Sequence, residues 1–202
     1  AQVLIAKYLD HLPLYRQERI FERAGFGIPR STLAQWVGRC GVALQPVVDA
    51  LKAEMLAREI LHADETPVAM LNPGAGKTQR AYLWAYCTGA FDSMKAVVYD
   101  FAESRAGKHV RDFLGDWRGT LVCDDYAGYK ALLAKGVTEA GCMAHARRKF
   151  FELHANHQSQ IAGEALKLFG QLYGVEREVA KLDDEARWRI RQEKAKPILD
   201  LL

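Results

Sequence analysis

Hydrophobic positions recur at helical spacing through the first part of the chain and then change to an alternating pattern. Up to about residue 58, apolar residues fall three or four positions apart, which is typical of amphipathic helices. Pro13 suits the start of one helix, and Ser31 is a good N-cap for a longer helix that continues past Pro46 to about Arg58. Two helices joined by a short glycine-containing turn have the outline of a helix-turn-helix, although an ordinary αα-hairpin fits the pattern better.

After residue 58 the pattern predicts three strands in an antiparallel meander, followed by two strands that alternate with helices. The strands are expected over residues 60–71, 81–88, 96–101, 120–123 and 137–142. Ser104 is expected to cap the helix before the fourth strand, and Gly136 to close the helix after it. Helices over residues 144–154 and 161–182 then lead to a charged, helical end.

This order of elements brings distant residues together. Right-handed crossovers allow the fourth strand to lie parallel beside the first, with the fifth strand outside it. That is the ribonuclease H-like arrangement. We therefore predict an α/β protein with a ribonuclease H-like mixed sheet, three antiparallel strands followed by two α/β crossovers. The predicted division is a helical segment over residues 1–58, the core over 59–157 and a truncated helical extension over 158–202.

Two aspartates stand where the first and fourth strands become neighbours, Asp64 within the first and Asp124 at the end of the fourth. Close carboxylates repel one another, and a divalent cation relieves that repulsion. Oxygen ligands favour Mg²⁺ or Mn²⁺, and two such ions can promote displacement at a phosphodiester. Taken singly, each aspartate also fits a local role, Asp64 at a turn and Asp124 as the cap of the next helix.

Pro67 carries a further expectation about the first strand. Because proline cannot donate to a sheet ladder, it is normally excluded from central strands. The first strand should outrun the short fourth strand, so that its end, from about Thr66, pairs with the second strand alone. Pro67 can then face the unpaired side, which opens a space beside Asp64.

Composition and charge limit the alternatives. The 202 residues are 50% hydrophobic and 26% charged, which is typical of a globular protein, and no uncharged apolar run is long enough to cross a bilayer. The net charge of +3 falls within the first 58 residues, which is compatible with nucleic acid binding without requiring it. The four cysteines form no C-x-x-C pair and no secretory signal is visible, so we expect reduced thiols and a cytoplasmic protein.

A basic cluster follows the fifth strand, near the strand ends that carry the aspartates. Its members are His145, Arg147, Arg148 and Lys149, which could hold DNA phosphates, although a solvated helix face fits equally well. Cys142 and His145 also have a C-x-x-H spacing, and an H-x-x-H pair follows. These are zinc-ligand types, but a core thiol with scattered histidines fits the pattern better.

Six stretches together resemble one family of proteins, in the order in which they occur in that family. They are residues 7–18, 31–37, 62–68, 82–84, 124–129 and 141–150. The chain is similar to the transposases of the insertion sequence 66 family, whose catalytic domain is of the DDE, ribonuclease H-like type. The resemblance implies a DNA transposase core that cleaves and joins phosphodiester bonds with Mg²⁺ (or Mn²⁺). Its implied partners are transposon-end and target DNA, with self-association in the DNA complex and no membrane.

Within this resemblance the first two catalytic acids match Asp64 and Asp124. Asp125 departs from the family pattern, which has Gly there. The third acid of the family lies in a downstream Asp-Asn-Asn-x-x-Glu-Arg stretch that these 202 residues do not contain, so we expect a fragment with two of three acids and poor activity alone. Glu176, on a helix after the fifth strand, is a weak candidate for the third acid, and an exposed helix acid fits it better.

Two other functions stay open at this point. One is a DNA-binding fragment without catalysis, in which residues 13–40 dock on DNA and the core is inert. The other is a ribonuclease H-like nuclease of another kind. Metal-dependent strand cleavage separates the first of these from a transposase core.

Overall fold

The computed structural model describes all 202 residues, which form a five-stranded mixed sheet with helices before, between and after its strands. The strands are β1 (Ile60–Met70), β2 (Gln79–Thr88), β3 (Val97–Ala102), β4 (Thr120–Cys123) and β5 (Thr138–Gly141). The helices are α1 (Gln2–Tyr8), α2 (Leu14–Arg23), α3 (Arg30–Leu56), α4 (Lys108–Leu114), α5 (Lys130–Leu133), α6 (Met143–His157), α7 (Gln160–Val179), α8 (Asp184–Ile190) and α9 (Lys196–Leu199). A 3-10 turn precedes α5, and a π-helical turn joins α8 to α9. No helix combines the length and the apolar character that a membrane span needs.

The strand order is β3-β2-β1-β4-β5. The pairs β1–β2 and β2–β3 are antiparallel, whereas β1–β4 and β4–β5 are parallel. The prediction of an α/β fold with three antiparallel strands and two α/β crossovers is therefore confirmed. The fourth strand matches residue for residue, and the other strand ends lie within two residues of their predicted positions.

Two predicted helix caps are wrong. α3 begins at Arg30 with Pro29 in the N-cap position, so Ser31 lies inside the helix. The preset φ of proline suits a helix start, and the first N–H of the helix, that of Arg30, donates to Glu18 Oε1 at 2.6 Å instead of to a serine cap. α4 begins only at Lys108, and the Ser104 hydroxyl lies 2.8 Å from His109 Nε2 rather than capping the helix. The helix predicted before Gly136 is shorter than expected, but the glycine does follow its last turn with a φ of +89°, which favours glycine.

The main core lies on one face of the sheet. Alternate residues of β1, β2 and β4 point into it, including the fully buried Trp84 and Tyr86. The end of α3, through Met55, and the inner side of α4, through Phe113, cover this face. Tyr86 and Phe113 stack with their ring centroids 3.7 Å apart. Each large side chain buried in this way contributes about 1.5–3 kcal/mol.

The end of β1 is paired on one side only, as the sequence predicts. Pairing with β4 stops at His62, whereas pairing with β2 continues to Met70. The Thr120 N–H donates to the Glu59 carbonyl, so the main-chain groups of Glu59 point towards β4. Residues an even number of positions apart in a strand point their main-chain groups to the same side, and Glu59 and Pro67 are related in this way. Pro67 therefore faces the unpaired side beyond the end of β4, where its missing N–H costs no ladder hydrogen bond.

The C-terminal helices form a second, smaller assembly. Phe150 of α6 packs against Phe169 of α7, and α7 shares a small apolar cluster with the turn between α8 and α9. Arg187 of α8 lies over the ring of Phe91, which follows β2, at 3.7 Å. The extension is thus tied back to the sheet.

Candidate active site

A cavity of about 820 Å³ lies beyond the end of β4, beside the part of β1 that β4 leaves unpaired. Six acids and four basic residues are among the side chains that line it. They are Asp64, Glu65, Asp124, Asp125, Glu139, Glu152, Arg105, His145, Arg148 and Lys149. Five of the acids lie in the strands or directly after β4, and α6 contributes three of the four basic residues, so acids of the sheet and basic groups of α6 share one cavity.

Asp64 and Asp124 enter this cavity from neighbouring strands. The last parallel pair is His62 with Val122, and each aspartate lies two residues beyond one member of that pair. Residues two apart along a strand share a face of the sheet, which explains why the Asp64 side chain reaches the cavity and not the core. The structure therefore brings the two sequence-predicted acids to one site.

Each of these two carboxylates has one oxygen engaged locally and the other turned towards the side chain of a basic residue. Asp64 Oδ1 accepts from the Glu65 N–H at 2.9 Å, and Asp124 Oδ1 accepts from the Tyr126 N–H at 3.0 Å. Asp64 Oδ2 lies 3.7 Å from His145 Nε2, and Asp124 Oδ2 lies 3.9 Å from Arg105 Nη2. The Asp64 side chain is 56% exposed and that of Asp124 27% exposed. Both second oxygens are thus available to a ligand.

Glu65 is a third acid at the cavity, but its carboxylate is committed to the protein. Its side chain is 1% exposed, because Glu65 belongs to the alternate positions of β1 that face the core. Arg105 Nε donates to Glu65 Oε1 at 2.7 Å, and the Tyr129 hydroxyl donates to Oε2 at 2.8 Å. Burial, and then the charge of Glu65, raise the pKa of Tyr129 far above its usual value, so it remains a donor.

Arg105 is held on three sides. Besides its contacts with Glu65, its guanidinium lies over the ring of Tyr126 at 3.9 Å, and the Tyr126 hydroxyl donates to the Arg105 carbonyl. Burial lowers the pKa of Arg105, but the hydrogen bond and charge of Glu65, followed by the charge of Asp124, raise it overall. Arg105 is thus a fixed positive charge beside Asp124.

Asp125, the departure from the family pattern, lies differently from Asp124. Its side chain is 95% exposed, and Lys130 Nζ approaches its Oδ1 at 2.7 Å. Lys130 also donates to Glu139 at 2.9 Å. The hydrogen bond from Lys130 lowers the pKa of Asp125 below its usual value. Asp125 is therefore paired at the rim, whereas Asp124 is partly buried beside Arg105.

The predicted basic cluster lies on α6 and divides between two faces of that helix. His145, Arg148 and Lys149 line the cavity. Arg147 does not, and its guanidinium lies 5.9 Å from the ring of Phe151 instead. His145 Nδ1 is buried without a hydrogen-bond partner.

Glu176, the weak candidate for a third acid, is not among the residues that line the cavity. Arg191, on the turn after α8, donates to both of its carboxylate oxygens, at 2.8 and 2.6 Å. This partner could not be read from helical spacing around Glu176, because it comes from the next helical segment. No three His, Cys, Asp or Glu side chains come together closely enough to hold a metal ion, so no third such ligand joins Cys142 and His145.

Sequence reasoning missed Glu65 and Arg105. A signal for Glu65 existed, because it continues the buried alternation of Leu61 and Ala63 and a carboxylate at such a position requires partners. No comparable signal pointed to Arg105, which lies 40 positions further along the chain. Its place beside Glu65 follows from the packing of the loop between β3 and α4.

The fold and the cavity define a mixed α/β protein with two available carboxylates, one within the central strand and one just after the parallel strand beside it, in a cavity that basic groups of a helix also line. The family model for the IS66 family of transposases matches residues 1–202, and the chain belongs to that family.

Three curated relatives from Sinorhizobium fredii (strain NBRC 101917 / NGR234) cover nearly the whole chain. They are the uncharacterized proteins y4qI, y4hP and y4jD, which are 38%, 34% and 32% identical to it over 98%, 99% and 98% of its length. The matched region is only 39%, 40% and 41% of those proteins, so the chain spans about two fifths of their length.

Proposed function

We propose that this chain is the catalytic core of a DNA transposase, which carries out metal-dependent phosphodiester cleavage and strand transfer at transposon ends. The observation that carries the proposal is the meeting of Asp64 and Asp124 in one cavity, opposite basic residues of α6. Membership of the IS66 transposase family supports it from the sequence side. Its partners are transposon-end and target DNA, with self-association in the DNA complex.

The ribonuclease H-like fold is part of the same proposal. It is supported by the sheet order β3-β2-β1-β4-β5, in which the antiparallel meander is extended by two parallel strands. It is supported as well by the position of the two acids, one in the central strand and one just after its parallel neighbour.

The donor set suits Mg²⁺ or Mn²⁺ at Asp64 and Asp124. Mg²⁺ in proteins is commonly held by one or two carboxylates together with waters and substrate phosphates, and the free Oδ2 atoms here are hard oxygen ligands of that kind. The chemistry that such an ion supplies when bound is polarisation of a phosphate oxygen and activation of a water or 3′-hydroxyl. Glu65 contributes no ligand, since its oxygens are occupied by Arg105 and Tyr129.

The chain's own basic residues bind and orient the DNA backbone. Arg148 and Lys149 lie on the same side of α6 as His145 and line the cavity that the two aspartates enter. Contacts from such side chains to phosphates fix the register of the strand without reading its sequence.

Metal binding tests the proposal. We expect Mn²⁺, titrated into the purified chain and followed by electron paramagnetic resonance, to bind with an affinity that Asp64→Asn and Asp124→Asn each lower at least about tenfold, since each removes one charged ligand. Asp125→Asn is the matched control, because it removes the neighbouring acid, which Lys130 neutralises. Loss of binding only in Asp125→Asn would move the site to Asp125, and equal binding in all four proteins would overturn it.

A second candidate function, DNA binding without catalysis, is favoured by one observation: no third metal-ligating side chain joins the two aspartates. We therefore expect the chain alone to bind duplex DNA but to nick it poorly with Mg²⁺ or Mn²⁺. Robust metal-dependent cleavage that is lost in Asp64→Asn would favour a complete site within these residues. DNA binding without Mn²⁺ binding would favour the second candidate.

A further inference from the structure

Arg105 has more hydrogen-bonding capacity than its protein partners use. A guanidinium has five N–H donors in a planar fork, and the contacts to Glu65 employ only Nε and Nη2 on one oxygen. The distance of 3.9 Å from Nη2 to Asp124 Oδ2 is too long for a hydrogen bond. The side chain is 43% exposed and lines the same cavity as Asp124, so its guanidinium is accessible to a ligand that enters there.

The surroundings of Arg105 fix it in place. Glu65 holds one edge of the guanidinium, and Tyr129 holds Glu65 from the other side. The ring of Tyr126 supports the planar face of the guanidinium. An arginine fixed in this way loses little side-chain entropy when it binds an anion, and its fork matches the geometry of a phosphate.

We propose that Arg105 binds a DNA backbone phosphate next to Asp124 and that Glu65, with Tyr129, is the positioning residue that aims it there. This inference rests on the proposed function, because it places the DNA strand in the cavity of Asp64 and Asp124. It assigns Glu65 to the support of Arg105 rather than to a metal. The DNA strand would then be bound by Arg105 beside the sheet and by Arg148 and Lys149 on α6, which line the same cavity.

The salt dependence of DNA binding tests the inference. Log K for DNA binding falls as log salt concentration rises, and each phosphate contact increases the steepness of that fall, the magnitude of the slope, by about one. We expect Arg105→Gln to reduce the magnitude of that slope by about one. The measurement is fluorescence anisotropy of a labelled duplex with the purified chain over a series of KCl concentrations. Arg105→Lys, which keeps the charge, should retain the slope but bind more weakly. The control is Arg189→Gln, an equal charge change at an exposed residue of α8 outside the cavity, which should leave the slope unchanged.

Because Arg105→Gln leaves the buried Glu65 carboxylate without its cation, a second protein carries Glu65→Gln together with Arg105→Gln. We expect the fold to be preserved when both charges are removed, and an unchanged melting temperature checks this. If the unaltered chain binds DNA but the slope is unchanged in both proteins, the inference is wrong. Stronger Mn²⁺ binding in Arg105→Gln with an unchanged slope also overturns it, because Arg105 then serves only Asp124.

The outcomes separate this inference from the proposed function. An unchanged slope with Mn²⁺ binding that still depends on Asp64 and Asp124 rejects Arg105 and leaves the catalytic site standing. Failure of the unaltered chain to bind DNA at any salt concentration rejects both.

Discussion

At the scale of single residues, the adjacent acids Asp64 and Glu65 of β1 differ in their surroundings because the pleat turns their side chains to opposite faces of the sheet. Asp64 points to the cavity and keeps one oxygen available, whereas Glu65 points inward and is bound by Arg105 and Tyr129. A buried carboxylate without partners is strongly unfavourable, and here a guanidinium and a hydroxyl meet that requirement. The chemistry of each acid is thus set by strand register and not by residue type.

His62, two residues before Asp64, provides a prediction about pH. Burial lowers the pKa of His62 below its usual value of 6.5. As pH falls below about 6.5, this histidine takes up a proton in the unfolded chain but stays neutral in the folded protein. The free energy of unfolding therefore decreases, until the pH reaches the lower pKa of the folded state. His62→Gln should flatten that decrease, as measured by urea unfolding between about pH 7 and pH 5.

The control for this experiment is His157→Gln, at the exposed end of α6. It removes an exposed histidine and leaves the partly buried imidazole of His62 in place. If His157→Gln flattens the pH dependence as much as His62→Gln does, the effect does not come from burial in β1.

At the scale of elements, the strands were predictable and the contacts between them and distant loops were not. The alternating pattern, the turn residues and the handedness of crossovers were sufficient to predict the sheet order and the meeting of Asp64 with Asp124. The two helix starts were misplaced for different reasons: α3 already begins after Pro29, and the Ser104 hydroxyl contacts His109 instead of capping a helix. Arg105 reaches Glu65 through tertiary packing, which no periodicity encodes.

Helix α6 carries a prediction at this scale, because its basic residues divide between two faces. Arg148 lines the cavity, and Arg147 lies against Phe151. We expect Arg148→Gln to lower the salt slope of duplex binding by about one. Arg147→Gln, the same change at the adjacent position, should leave the slope nearly unchanged. The reverse result would place the DNA on the other face of the helix and away from the two aspartates.

At the scale of the whole molecule, the end of the N-terminal segment belongs physically to the sheet. The predicted division at residues 58 and 59 stays a prediction, but it cuts through packed structure. Met55 of α3 is fully buried in the main core, and Leu51 packs against the same cluster. The Trp117 indole N–H donates to the Arg58 carbonyl at 2.8 Å. The first half of α3, in contrast, contacts α1 and α2 and is largely exposed.

Two shortened chains test where the core begins. A chain that starts at Glu59 loses Met55, whose removal from a core costs about 2–5 kcal/mol, and leaves the Trp117 donor without its acceptor, at about 1–3 kcal/mol. A chain that starts at Asp49 keeps both contacts. We expect urea unfolding to show a midpoint near that of the full 202 residues for the Asp49 chain, and a much lower midpoint or no folded state for the Glu59 chain. Equal midpoints for the two shortened chains would place the boundary at residue 58, because α3 would then contribute nothing to the stability of the sheet.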